Sequence, residues 1–137
     1  MMMPRNPRRL MAPIALILAL TGVGRATAHH SFAMYDDKKI VTVDGTVKDF
    51  QWTNPHVLLD LLVTPTPGAE PQDWLVELTS PGNLTRGGWT RSTLKPGDKI
   101  QVQLNPWRDG RPGGGFVQLT LPDGKVMKWT FGAPPPP

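Results

Sequence analysis

The chain has 137 residues, with 15 Lys and Arg against 11 Asp and Glu, and it contains no cysteine. The lack of cysteine excludes disulfides, thiol catalysis, iron–sulfur clusters and cysteine-ligated zinc. Four of the basic residues lie in the first 28 positions and no acidic residue does, so the rest of the chain has 11 of each sign. A basic surface is the first feature expected of a nucleic-acid-binding protein, and this balance argues against nucleic acid as a partner.

The first 28 residues have the three parts of a secretory signal peptide. Arg5, Arg8 and Arg9 give a positive region, residues 14–20 form an apolar run, and Ala26-Thr27-Ala28 is typical of a cleavage site. The apolar run is far shorter than the ~20 residues needed to span a membrane. We therefore expect cleavage after Ala28, a periplasmic or secreted mature protein, and no stable membrane anchor after cleavage. An uncleaved signal anchor is the alternative.

The remaining chain divides into three parts. Residues 29–39 are predicted to be a polar N-terminal lead-in, residues 40–131 a single β domain, and residues 132–137 a Pro-rich tail that cannot join a sheet. About 109 mature residues are enough for one domain to fold on its own core.

The first predicted strand covers residues 40–52. Val41, Val43 and Val47 alternate with polar residues, as in a strand with one buried face. The alternation slips at residues 48–50, which predicts a β-bulge there, and Gly45 in mid-strand indicates a bend.

The rest of the domain alternates between short strands and turn signals. Ser80 before Pro81 predicts a short helix that ends at Gly87-Gly88. Residues 105–115, with three consecutive glycines, are predicted to form a flexible loop. The other predicted strands are residues 56–63, 73–78, 99–104, 116–121 and 125–131.

This element order predicts an all-β fold. A single short helix between strands 3 and 4 is typical of the OB-fold, so we expect a small OB-like barrel of five or six strands. An open β-sandwich is the alternative. One apolar face of each strand should meet in a single core. The predicted core residues are Val43, Val47, Leu59, Leu61, Trp74, Val76, Ile100, Val102 and Val117.

Several short motifs occur together in this chain. They include Ala28-His29-His30-Ser31, Trp52-Thr53-Asn54-Pro55-His56 and Leu94-Lys95-Pro96-Gly97-Asp98. With these motifs in this order, the chain resembles an uncharacterised family of short exported bacterial proteins, classed as a domain of unknown function. The resemblance covers nearly the whole mature chain. It implies export and a β architecture, and it supplies no activity.

The three histidines form the first candidate site. Cleavage after Ala28 would make His29 the N-terminal residue, so its α-amine and imidazole could chelate Cu(II), with His30 adding a second imidazole. His56 follows the Asn54-Pro55 turn and could complete the site. We therefore predict His29, His30 and His56 as ligands of copper or zinc. The alternative is a solvated chain end, with His56 bonded to its turn.

Tryptophans and arginines form the second candidate site. Trp89 and Trp107 lie beside glycine or proline and are predicted to be surface residues that could stack on a ligand. Trp52, Trp74 and Trp129 are assigned to the core. Arg108 and Arg111 could grip a carboxylate or phosphate, although such loop arginines are more often a solvated rim.

Three functions remain open at this point. The sequence favours a non-enzymatic binding or interaction module whose periplasmic ligand or protein partner is unknown. A copper- or zinc-binding protein is the second interpretation. A small hydrolase or accessory enzyme subunit is the third and weakest, because the sequence shows no catalytic constellation such as a G-x-S-x-G motif.

Overall fold

The computed structural model describes residues 32–128. The secondary structure begins with a 3-10 turn at Phe32–Met34. Six strands and one helix follow. They are β1 (Val41–Gln51), β2 (Leu58–Val63), β3 (Gln72–Glu77), α1 (Pro81–Arg86), β4 (Lys99–Pro106), β5 (Gly113–Thr120) and β6 (Val126–Lys128).

Five of the strands close into a barrel. The hydrogen-bonded order is β3-β2-β1-β4-β5-β6, and a further pairing of β3 with β5 joins the two sides. That pairing is parallel, whereas all the others are antiparallel. β6 is an extra strand on β5. The predicted OB-like barrel with one helix between strands 3 and 4 is confirmed, and the alternative of an open sandwich is wrong.

β1 takes part in both halves of the barrel because it is long and bent. Its first half pairs with β4 and its second half with β2. The register with β2 shifts between Val47 and Asp49, which confirms the predicted bulge. Gly45 lies where both partners approach: a Cβ atom there would be 3.2 Å from Cγ2 of Val63. A bulge and a glycine together let one strand turn around a barrel corner.

The core consists of the inward faces of the strands. Six of the nine predicted core residues are buried, and Val43 and Trp74 are partly buried against the same core. The prediction for Val117 is wrong. The register of β4 with β5 shifts at Gln103/Leu104, so that Phe116 and Leu119 point inward on either side of Val117. The six predicted core residues that are buried are Val47, Leu59, Leu61, Val76, Ile100 and Val102.

The helix α1 is short because its sequence specifies both ends. Ser80 is the N-cap and its side chain accepts a hydrogen bond from the amide of Asn83 at 3.3 Å, while Pro81 occupies the first helical position. Gly87 is the C-cap. Leu84, the inward residue of the helix, has no exposed surface. The helix therefore packs one apolar side chain against the barrel core.

Replacing Ser80 with alanine should remove this cap and lower the free energy of unfolding by about 1 kcal/mol. For a domain of this size, that corresponds to a fall of about 4–8 °C in Tm. Ser80→Asp keeps an acceptor at the cap and should retain most of the stability. Thermal unfolding followed by circular dichroism measures both variants. Equal Tm values for the alanine and aspartate variants would contradict the capping role.

The glycine-rich segment is not the flexible loop that the sequence predicted. β4 continues to Pro106 and β5 begins at Gly113, so the three glycines are strand residues and all are buried. Gly113 and Gly114 approach the backbones of β3 and β4 so closely that a Cβ atom would overlap the carbonyl oxygens of Leu75 and Asn105. A glycine run marks close approach of backbones here, and the true loop is only residues 107–112.

Candidate functional site

The lead-in is anchored to the outside of the barrel by Tyr35. Gly115 of β5 pairs with Glu77 of β3, and we call this parallel β3–β5 pairing the seam. Because Gly115 has no side chain, it leaves the surface of the sheet open at this position. The Tyr35 ring lies over this position, where a Cβ atom would be 3.2 Å from the ring. The ring also stacks on Trp107 with 4.5 Å between centroids. Tyr35 is only 4% exposed, so its buried ring anchors this segment to the barrel.

Backbone hydrogen bonds hold the same segment. The amide of Asp36 donates to the carbonyl of Pro106 at 2.8 Å, and the amide of Arg108 donates to the carbonyl of Met34 at 2.9 Å. Residues 34–36 therefore run beside the end of β4, and their position is fixed relative to the β4–β5 loop.

The Glu77 carboxylate joins Tyr35 to His56. The Tyr35 hydroxyl donates to Oε2 of Glu77, and Nδ1 of His56 bonds to Oε1 of the same carboxylate. Glu77 lies on the outer face because its neighbours Val76 and Leu78 point into the barrel. The side chains of His56 and Glu77 are 30% and 19% exposed. Three residues distant in sequence thus form one hydrogen-bonded chain, partly shielded from water.

The electrostatics of this chain favour a neutral phenol. Burial raises the pKa of Tyr35 above its ordinary value, and the hydrogen bond and negative charge of Glu77 raise it further. The positive charge of Arg111 opposes these effects but is the smallest of them. Tyr35 is therefore a hydrogen-bond donor to the carboxylate at neutral pH.

The two loop arginines already have acidic neighbours. Arg108 meets Asp37 at 3.4 Å, and Nε of Arg111 meets Asp109 at 3.3 Å. The Arg111 guanidinium also stacks on Trp107, with 3.8 Å to the ring centroid. Both pairs are solvent-exposed, so each contributes little to stability. The two arginines lie at the solvent-exposed edge of this region, and the Arg111 guanidinium covers one face of the Trp107 ring.

These contacts unite some of the predicted site residues and separate others. Tyr35 and Glu77 connect His56 with Trp107 and Arg111, and we call these five residues the seam cluster. Arg108 lies beside the seam cluster, against the lead-in. His29 and His30 lie outside the described residues.

The surface prediction for the two tryptophans is wrong. Trp89 is 1% exposed and packs edge-on against Phe116 in the core, 5.5 Å between centroids. It points inward because the Gly87-Gly88 turn brings the chain back, with the Trp89 amide bonded to the carbonyl of Leu84 at 3.0 Å. Trp107 is 6% exposed, since Tyr35 and Arg111 cover it. Neither ring offers a face for a ligand to stack on.

The seam cluster includes two residues that the sequence did not single out, Tyr35 and Glu77. Tyr35 was placed in a polar lead-in, and Glu77 was only the polar position of an alternating strand. The available signal was that Tyr35 is the one tyrosine of the chain, followed by Asp36 and Asp37. Nothing local in the sequence connects position 77 with position 35 or 56.

Two further observations concern the described residues as a whole. Within residues 32–128, no group of three His, Asp or Glu side chains is arranged to hold a metal ion. A metal site that used His56 would therefore need ligands from elsewhere in the chain. In the same part of the chain, no helix is both long and apolar enough to cross a membrane.

Comparison with known proteins gives a family but no function. Searches of curated proteins and of solved structures found no match. A family model, described as a family of unknown function (DUF6152), matches residues 17–118. The match covers most of the chain, including α1, all of β1 to β4 and most of β5. The chain therefore belongs to the DUF6152 family of unknown function.

Proposed function

We propose that the protein is an exported, non-enzymatic binding module that acts through the seam cluster. The signal-like features of residues 1–28 support export. The hydrogen-bonded chain from Tyr35 through Glu77 to His56 is the observation that carries the binding role. A carboxylate that holds a tyrosine hydroxyl and a histidine ring on a partly shielded outer face preorganises both groups, because their geometry is set before any ligand arrives.

The position of the cluster relates it to the proposed new N-terminus. Tyr35 follows His29 by six residues, and an extended chain spans at most about 3.6 Å per residue. After cleavage, the Cα atom of His29 could therefore be at most about 22 Å from that of Tyr35, a tether short enough for His29 and His30 to reach His56.

Copper or zinc is the ligand that this arrangement favours. A metal-binding histidine commonly has its other ring nitrogen held by a carboxylate, which fixes the tautomer and the ring orientation. Glu77 holds Nδ1 of His56 in this way, so coordination would use Nε2. Together with His29 and His30, His56 would supply a nitrogen-rich donor set that suits Cu(II) and, with less selectivity, zinc.

The mature chain beginning at His29 should bind Cu(II), and a chain with one added residue before His29 should bind it more weakly. The added residue removes the α-amine of His29 from the chelate without touching the barrel. Titration calorimetry measures the affinity, and copper EPR identifies nitrogen ligands. His56→Ala should weaken binding if this imidazole coordinates.

Lys38→Ala provides a matched control, because this exposed residue lies in the same lead-in and carries no nitrogen of the proposed donor set. It should bind copper like the unmodified mature chain. If the mature and extended chains bind copper equally weakly, the metal role is wrong.

A further inference from the structure

A second concave surface crosses four strands of the barrel and shares no residue with the seam cluster. It is a groove of about 480 Å³ on the outer side of β1, β2, β4 and β5. We call it the polar groove and define it by Asp44, Thr46, Leu62, Lys99, Gln101 and Thr120. At Gly45, β1 pairs with β2 and β4 at once, so the groove runs across neighbouring strands of the sheet.

The strand register arranges the groove side chains in two rows. Thr120 of β5 is opposite Gln101 of β4, which is opposite Asp44 of β1. In the next row, Lys99 is opposite Thr46, which is opposite Leu62 of β2. Neighbours within a row are about 4.8 Å apart, and the rows are about 7 Å apart along the strands. The backbone therefore places these side chains at a regular spacing across the groove.

Most of these groups have no partner inside the described part of the chain. The amide of Gln101 donates to Oδ1 of Asp44 at 3.0 Å, which orients both side chains. Within residues 32–128, Thr46, Thr120 and Lys99 make no side-chain hydrogen bond or ion pair.

Some polar side chains elsewhere on the outer face already have partners. Lys48 pairs with Asp73 at 2.5 Å, and Gln51 with Asp60 at 2.8 Å. The polar groove is thus a concave part of the sheet surface in which several donors and acceptors are available to a ligand.

Charge and shape restrict the kind of ligand. The groove has one carboxylate and one ammonium group, so it has no net charge to attract an ionic partner. Its hydroxyl, amide and carboxylate groups suit a partner whose own groups both donate and accept. Leu62, which is 38% exposed, offers an apolar patch beside them. A sugar ring has this combination, with hydroxyls at its edge and C–H groups on its faces.

We propose that the polar groove binds a short neutral oligosaccharide. Asp44 and Gln101, held together, would contact adjacent hydroxyls of one ring, while Thr46 and Thr120 would contact the rings on either side. The C–H face of a ring would rest on Leu62. This role is separate from the proposed metal binding at the seam cluster and does not depend on it.

Chemical-shift mapping of the ¹⁵N-labelled mature chain tests the proposal. The probes are neutral trisaccharides of glucose and of N-acetylglucosamine, with a trisaccharide of galacturonic acid as the charged comparison. At least one neutral trisaccharide should cause saturable shifts that concentrate at residues 44–46, 62–64, 99–101 and 120–121. Such a pattern supports the proposal. No saturable shift with either neutral sugar, or shifts centred on the seam cluster, would overturn it.

Substitutions then separate specific recognition from nonspecific binding. Asp44→Ala should weaken binding by about tenfold, the effect of losing a hydrogen bond to a charged group, and Gln101→Ala, which loses a neutral hydrogen bond, should weaken it by about fivefold. Asp73→Ala removes another exposed carboxylate from the same outer face and should leave the affinity unchanged. If all three variants bind alike, the groove does not recognise the sugar. Binding of the galacturonate sugar alone, abolished by Lys99→Ala, would also refute the proposal because it would identify an anion site.

Discussion

Gly113→Ala should lower the free energy of unfolding by about 4 kcal/mol or more, one of the largest effects available to a single substitution. Gly113 has a φ of +116°, which an L side chain rarely adopts, and an added Cβ atom would overlap the backbone carbonyl of Leu75. Because that carbonyl belongs to the parallel β3–β5 pairing, relief requires opening the seam that closes the barrel. Thermal or denaturant unfolding measures the loss, which should exceed about 15 °C in Tm.

Gly110→Ala is the matched control for this prediction. Gly110 also has a positive φ, at +80°, and lies in the adjoining loop, but nothing is within 4 Å of its added Cβ atom. Gly110→Ala should lower the free energy of unfolding by only about 1–2 kcal/mol, which is the cost of a left-handed backbone conformation for a residue with a Cβ atom. The difference between the two variants isolates the close approach at the seam. If both alanine variants unfold at the same temperature, the three-glycine segment is not limited by packing, and its role in closing the barrel is wrong.

The same glycines show why composition alone misplaced this segment. Both a flexible loop and a strand in close contact with two neighbours favour residues without side chains, so glycine content does not distinguish them. The periodic strands were predictable because alternation reports burial directly, as at Leu59 and Leu61. Val117 failed because a register shift changes the phase of alternation, and that shift depends on the partner strand.

The candidate site was predictable only in part, for a related reason. His56 was identified from its own position after a turn, which is local information. Glu77 and Tyr35 acquire their roles because the barrel closes by pairing β3 with β5, and Gly115 leaves space for an aromatic ring. Trp107 was assigned to the surface because its neighbours are loop residues, whereas the lead-in that covers it lies more than 70 positions earlier. Tertiary contact between distant segments decided all three.

The native protein should resist ionisation of its tyrosine in alkali, and its stability should fall once the pH exceeds about 10. The folded state raises the pKa of Tyr35, through burial first and then the contact with Glu77. The unfolded chain releases the phenolic proton at its ordinary pKa of about 10, whereas the folded chain retains it. This contribution to stability is therefore complete below pH 10 and decreases above it, with a limiting slope of about 1.4 kcal/mol per pH unit.

The measurement is unusually direct because the chain has a single tyrosine. Phenolate absorbance should appear only as the far-ultraviolet circular dichroism signal is lost. Lysines also titrate in this range, so the stability of Tyr35→Phe provides the reference: the advantage of the unmodified protein over this variant should shrink as the pH rises above 10. In Glu77→Gln the charge is lost while burial remains, so the phenolate should form at a lower pH. A midpoint near pH 10 in protein that is still folded would mean that Tyr35 is not held against the seam as described.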